Sequence, residues 1–267
     1  MQLHENEARK HAFGRYGEAY DAARPRYPAA LVERVAAHAR ITPETRAIEV
    51  GSGTGIATLP FAEMRASIRC LELSEGMAAV ARRNLARFPK VSIEVARFEE
   101  WPGADGAFDL LFCAQAWHWI TPEVRYAKAR RLLRPGGTLA VFANRDAAVL
   151  EEVQAAYRRH DLREIVAHDR EAWREAFPPD VAAGIEDART SIERSGAFRE
   201  IEFHRFPWQR SFTAEGYLAL LRTHSDHVTL PPEVSEPLLK DVAAAIEAAG
   251  GTVTRRYEAV LMLARPA

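Results

Sequence analysis

Ala47-Ile48-Glu49-Val50-Gly51-Ser52-Gly53-Thr54-Gly55-Ile56 is the stretch that decides the fold. A short, mostly apolar strand over 47–50 runs directly into three glycines spaced two apart, and residues 56–64 read as a helix. Strand, glycine turn and helix make a cradle for a nucleotide-bearing ligand. Glycine lets a backbone come close, and a helix N-terminus offers free N–H groups. The glycines fall as G-x-G-x-G at 51, 53 and 55, with Ile56 where the dinucleotide pattern G-x-G-x-x-G wants its third glycine. No lysine follows Gly55, which excludes the phosphate loop ending in Gly-Lys-Ser/Thr. Glu49 sits on an apolar strand, where an unpaired charge is costly, and is expected to face loop amides or a cationic ligand rather than the core.

Outward from this stretch the chain alternates. Apolar runs at 68–71, 91–95, 108–113 and 138–143 predict four further strands, and residues 28–40, 75–87 and 122–133 predict helices between them. Pro28 suits a first helical turn, and Gly136-Gly137 suits a helix stop. Apolar strands 20 to 30 residues apart, joined through helices, imply right-handed crossovers and a parallel sheet covered on both faces. Beyond Asn144 the rhythm changes. Residues 147–195 read as helices broken by Pro178-Pro179, 200–206 and 253–263 as strands, and 213–223 and 231–249 as helices. Glu72 ends the second strand about 20 residues after the loop, where a carboxylate accepts hydrogen bonds from two ribose hydroxyls.

Composition narrows the function classes. The 267 residues are 48% hydrophobic and 27% charged, which excludes collagenous, disordered and disulfide-scaffold chains. A net charge of −1 offers no broad footprint for nucleic acid. Uncharged apolar stretches fall short of the roughly 20 residues of a membrane helix, and the polar start has no apolar leader core, so the expectation is a cytoplasmic protein. Cys70 and Cys113 lie in apolar runs and are read as reduced, buried fillers.

Four stretches belong together: Glu49–Gly55, Leu71-Glu72-Leu73-Ser74-Glu75-Gly76-Met77, Phe108-Asp109 and Leu133-Arg134-Pro135-Gly136-Gly137. In these the chain resembles the class I S-adenosylmethionine-dependent methyltransferases that act on small molecules. A narrower likeness, to the branch containing trans-aconitate methyltransferase, lies in Phe13, Tyr20, Arg24-Pro25, Tyr27-Pro28, Ala116-Trp117-His118-Trp119 and 221–225. The resemblance implies a Rossmann-like α/β sheet, mostly parallel with an antiparallel last strand, carrying helical cap insertions. One domain would span 1–267: lid helices in 1–40, a cofactor core at 45–145, a cap at 145–250 with one core strand near 200–206, and the last strand at 252–263.

It also implies the site. Gly51, Ser52, Gly53, Thr54 and Gly55 would surround the methionine part and ribose of S-adenosylmethionine, with Glu49 near its amino group. Glu72 would hold the ribose, Leu73 would lie on the adenine, Phe98 and Glu99 would border its edge, and Gln115 would lie beside the methionine. Many relatives place Asp where Arg97 stands, so the adenine amino group must turn to Glu99 or to water. Tyr20 and Arg24 would close over the cofactor from the N-terminal segment. Tyr27, Trp117, His118, Thr223, His224 and Ser225 would line the acceptor side.

Methyl transfer from a sulfonium is an in-line displacement with an already activated donor, so positioning dominates and can contribute about 7–11 kcal/mol. A carboxylate acceptor needs no base, only cations and donors to orient it. His118, with an ordinary pKa near 6.5, suits a general base for a protonated acceptor, or else packs the turn with its tryptophan neighbours. His224 and His227 with Asp226 lack a further ligand, so no metal is expected. The partner is a small-molecule acceptor; neither nucleic acid nor membrane is expected, and the chain is a monomer or homodimer. Three alternatives stay open: a nucleic-acid or protein methyltransferase, a nicotinamide oxidoreductase, and a cofactor-binding protein without turnover. Ala114-Gln115-Ala116-Trp117 is not the Pro-Pro-aromatic tetrapeptide of base-amino methyltransferases, and the glycine spacing argues against a nicotinamide site.

Overall fold

The computed structural model describes residues 17–148, 151–160, 181–228 and 230–267. Phe13 and part of the helical region expected over 147–195 lie outside the described residues. Helices α1 (Gly17–Ala23) and α2 (Ala29–Ala39) precede β1 (Arg46–Val50). Then come α3 (Thr58–Glu63), β2 (Ser67–Glu72), α4 (Glu75–Asn84), β3 (Val91–Val95) and β4 (Phe108–Ala114). A 3-10 turn at Trp117–Trp119 leads into α5 (Pro122–Leu132) and β5 (Leu133–Ala148). The remainder is α6 (Glu151–Arg159), α7 (Val181–Arg194), β6 (Phe198–Thr213), α8 (Ala214–Leu221), α9 (Ser225–Val228), α10 (Pro232–Ala248) and β7 (Thr252–Pro266).

Among the described residues the strands form one seven-stranded sheet in the order β3-β2-β1-β4-β5-β7-β6. The first five are parallel, and β7 runs antiparallel between β5 and β6. This is the expected Rossmann-like α/β sheet with its antiparallel last strand. Strand order reverses between β1 and β4, so the crevice of an open parallel sheet must lie beyond the carboxyl ends of those two strands.

Alternation along the strands sends side chains into two layers. Ile48, Val50, Leu111, Cys113 and Val141 pack on one face with α5 and α7. Ala47, Leu110, Phe112 and Phe142 pack on the other, against Leu31 and Val35 of α2 and Phe61 of α3. Phe61 meets Phe112 edge-on at 4.9 Å between ring centroids. A third apolar cluster joins α6, α8 and α10 to the distal parts of β6 and β7, through Tyr217, Leu238, Val242 and Val253. Both cysteines are buried and free.

Two strands outrun their sequence signal. β5 begins at Leu133, paired with Phe108, and resumes at Thr138 after an irregular stretch that holds the Pro135-Gly136-Gly137 turn. Asp109 anchors that turn: it accepts from the Arg46 amide at 2.7 Å and pairs with Arg134. β6 continues from Phe206 to Thr213 because β7 pairs with it along that whole length. Helix α4 stops earlier than expected, its last turn closed where the Leu85 amide donates to Ala81 O and the Phe88 amide to Leu85 O.

Glu49 departs from expectation. It shares a sheet face with Ala47, is fully buried, and turns into the layer beneath α3 rather than toward the loop amides. Its Oε2 accepts from Thr58 Oγ1 at 2.5 Å, and its buried Oε1 has no hydrogen-bond partner among the described residues. Burial favours the uncharged carboxyl and raises its pKa from 4.5 to about 8, with the nearby Glu72 charge acting in the same direction. A raised native pKa means stability is fully present below the unfolded value and lost as pH climbs through the native one. We therefore expect thermal stability to fall between pH 5 and 8, and Glu49→Gln, which keeps an acceptor for Thr58, to flatten that slope in pH-dependent melting. An equally steep slope in Glu49→Gln would show that Glu49 is not the titrating group.

Candidate functional site

A cleft of about 200 Å³ opens at the carboxyl edge of the sheet, and each central strand delivers residues to it. β1 ends at Val50 and turns through Gly51, whose φ is +70°. A Cβ there would stand 2.5 Å from the Ala116 Cβ, so only glycine allows the loop and the β4 exit to approach this closely. The Gly51 and Ser52 amides donate to Leu71 O, which ties the loop to the end of β2. Gly55, at φ +87°, would push a Cβ to within 2.7 Å of Leu85 on α4.

Glu72, the last residue of β2, is the centre of the floor. Its Oε2 accepts from the Gly53 amide and its Oε1 from the Ser74 amide, both at 2.8 Å. Burial raises its pKa, while the amides of Ser74, Gly53 and Leu73 hold it down. The carboxylate is thus oriented by the loop itself, and each oxygen keeps a lone pair for a ligand hydroxyl. Leu73 and Met77 continue the wall beyond it.

After β3, Ala96, Arg97, Phe98 and Glu99 form the next part of the wall. Arg97 lies 3.4 Å from Glu100, and Lys128 reaches over the Phe98 ring at 5.5 Å while donating to Glu99 O. Glu99 Oε1 accepts from both the amide and the hydroxyl of Thr121, which leaves Oε2 as its remaining acceptor.

After β4, Gln115 adopts a left-handed backbone at φ +62° and donates through Nε2 to Asn144 O. Its Oε1 is buried and has no hydrogen-bond partner among the described residues, an orphaned acceptor in the wall of the cleft. Asn144 in turn accepts from Trp208 Nε1. His118, Trp119 and Ile120 form the rim, with the His118 and Trp119 rings 4.8 Å apart.

Tyr20 and Arg24 reach the cleft from α1 and the turn after it. Arg24 stacks over Tyr20 at 4.8 Å. Its Nε donates to Thr223 Oγ1 at 3.0 Å and its Nη2 to Thr223 O at 2.6 Å.

The expected residues therefore divide. Gly51, Gly53, Glu72, Leu73, Phe98, Glu99, Gln115, Tyr20, Arg24 and His118 share the cleft wall. Ser52, Thr54, Gly55, Tyr27, Trp117, Thr223 and His224 lie outside it, as does Glu49. Thr54 is buried and gives its hydroxyl to Asp21 of α1 at 2.8 Å. Tyr27 packs edge-on against Phe142 at 4.8 Å, and the buried Trp117 meets Tyr126 at 5.6 Å. Ser225 opens the short α9. His224 is pushed well below its usual pKa by burial and by the positive charge of Arg24, Arg255 and His227. Tyr157 contacts His227 Nε2 at 2.6 Å.

Met77 and Trp119 are wall residues that sequence reading gave no ligand role. Met77 looked like one more apolar residue of a helix face, and Trp119 like a partner of His118 in packing. Among the described residues no group of three His, Cys, Asp or Glu side chains is placed to hold a metal. No described helix is long and apolar enough to cross a membrane.

Comparison with known proteins agrees with this architecture. Residues 48–141 match a family model described as a methyltransferase domain. A malonyl-[acyl-carrier protein] O-methyltransferase of Geobacter sulfurreducens is 34% identical over 160 residues, 59% of this chain and 57% of that one, so the match spans little more than half of that relative. An uncharacterized methyltransferase of Mycobacterium tuberculosis is 27% identical over 86% of this chain and 84% of its own length. Among solved structures, a candidate type II methyltransferase from Anaeromyxobacter dehalogenans shares the fold, with a TM-score of 0.63 at 24% identity over 91% of this chain and 97% of that one. Residues 48–141 are thus similar to a methyltransferase domain, and the sheet that carries them has the fold of that solved methyltransferase.

Proposed function

We propose that the cleft holds S-adenosylmethionine against Gly51, Gly53 and Glu72 and that the methyl group passes to a small carboxylate acceptor, as in the trans-aconitate methyltransferase branch. The observation that carries the cofactor half is the Glu72 carboxylate, fixed by the Gly53 and Ser74 amides with lone pairs still available. Glu72 would take the ribose hydroxyls, while Leu73 and Phe98 would flank the adenine and Glu99 Oε2 would accept from its amino group. The orphaned Gln115 Oε1 suits the ammonium of the methionine part, and Arg24 suits its carboxylate. The cofactor supplies a methyl on a cationic sulfur.

The acceptor half rests on charge. His224 is held well below its usual pKa by desolvation and by the charges of Arg24 and Arg255, two guanidiniums on this side of the molecule. Such surroundings favour an anionic guest, and arginine forks orient carboxylates well. A carboxylate oxygen arrives deprotonated, so the reaction asks the protein for alignment and for exclusion of water, not for a base. His118 would then serve as part of the rim, and Tyr20 could add cation–π attraction of about 1–2 kcal/mol to the sulfonium where water is excluded.

Glu72→Ala is expected to weaken S-adenosylmethionine by about 10- to 150-fold, since it removes charge-assisted hydrogen bonds and the anchor of the Gly53 amide. Unchanged affinity by calorimetry would remove Glu72 from the site. Formation of S-adenosylhomocysteine over a panel of di- and tricarboxylates, phenols, amines and thiols tests the acceptor, with turnover expected on a carboxylate. His118→Asn should then keep turnover within about tenfold; a loss of several orders of magnitude with cofactor affinity intact would make His118 the base.

A further inference from the structure

We infer that Arg24 is a positioning residue that couples the cofactor cleft to the acceptor side, through its fork on Thr223. The inference rests on the reading of the cleft as the cofactor site.

Thr223 is buried and its hydroxyl has a defined polarity: it donates to Leu220 O at 2.6 Å and accepts from Arg24 Nε at 3.0 Å. With Nη2 on Thr223 O, one whole edge of the guanidinium is committed to Thr223. The rest of Arg24 remains in the cleft wall, stacked on Tyr20. A rigid, planar fork cannot shift at one edge without moving the other. Thr223 immediately precedes His224 and the short α9, whose His227 contacts Tyr157 of α6 at 2.6 Å. The position of Arg24 therefore sets the position of the segment that carries both histidines.

Helix α1 is itself clasped as well. Asp21 accepts from Thr54 at 2.8 Å, so the glycine loop holds α1 directly, and Gly17 lies close enough to α4 that a Cβ would meet Val80 at 3.0 Å. One short helix is thus fastened to the glycine loop through Asp21 and, through Arg24 just beyond it, to the acceptor-side segment. A ligand that contacts Tyr20 and Arg24 stabilises both fastenings, and coupling between two sites is reciprocal. Occupancy of the cleft then tightens the acceptor side, and loosening Thr223 weakens the cleft.

The test is S-adenosylhomocysteine affinity of the full chain by calorimetry. Thr223→Val keeps shape and removes the hydroxyl; although Thr223 lies outside the cleft wall, it should weaken binding about 3- to 10-fold. Thr223→Ser should restore wild-type affinity, which repacking alone would not do. Arg24→Lys loses the fork, and Arg24→Lys/Thr223→Val should be no worse than Arg24→Lys alone. Affinity of Thr223→Val within twofold of wild type, or losses that multiply in the double variant, would overturn the coupling. If Thr223→Val melts early, Asp21→Ala opens the other clasp and should give a similar loss; wild-type affinity there overturns the coupling too. A wild-type chain that fails to bind S-adenosylhomocysteine sinks the cofactor reading itself and the coupling with it, whereas a binding wild type with an unaffected Thr223→Val sinks the coupling alone.

Discussion

The interaction on which the site depends is the pair of hydrogen bonds that the Glu72 carboxylate accepts from the Gly53 and Ser74 amides. It binds the loop after β1 to the turn after β2 and does so from the bottom of the cleft. Neither end would hold alone. Gly53 has a left-handed backbone in a loop, and Ser74 caps α4 by accepting from the Met77 amide. Joined through one carboxylate, they fix its two acceptor oxygens at the end of β2, one strand away from the switch point between β1 and β4. The acceptor oxygens are thereby positioned before a ligand arrives, and preorganisation of this kind lowers the ordering cost of binding.

Around that fixed point the molecule separates charge by depth. Glu49 lies under the loop as a buried, largely protonated acid, and Glu72 lies at the surface of the cleft with amides to support ionisation. The Arg24 and Arg255 guanidiniums bear on His224 and help to lower its pKa. The network from Gln115 through Asn144 to Trp208 connects the β4 exit with β6, so the cap-bearing half of the sheet is pinned to the cleft by more than apolar packing.

How much of this was legible in the sequence depended on what each residue's role required. Strands β1 and β4 announced themselves because burial on both faces demands apolar runs, and Gly51 by its place in the glycine turn, where its close contact with Ala116 tolerates no side chain. Glu72 was legible from its spacing to the loop. Direction was the hidden quantity. Thr54 belongs to the glycine loop in sequence, yet its hydroxyl turns to Asp21, a partner 33 residues away that no local pattern marks. Glu49 alternates onto the face of Thr58 and Cys70. Tyr27 and Trp117 carry large apolar rings, and the energy of burying them against Phe142 and Tyr126 prevailed over a place in the cleft wall. The Arg24–Thr223 fork joins residues 199 apart, a distance at which pattern reading has no purchase.

The place of β7 has a consequence for how the chain acquires its shape. Among the described strands it follows all the others in chain order, yet it sits between β5 and β6 and pairs with both. Until it emerges from the ribosome, β5 has an open apolar edge and β6 has no neighbour in the sheet. The nascent chain must therefore carry an incomplete sheet from the end of β5 at Ala148 until β7 begins at Thr252. Completion comes only through contacts between residues far apart in sequence, which form slowly and leave strand edges exposed meanwhile. Exposure of the β5 edge before β7 pairs with it, rather than weakness of the finished sheet, is the vulnerability this topology creates.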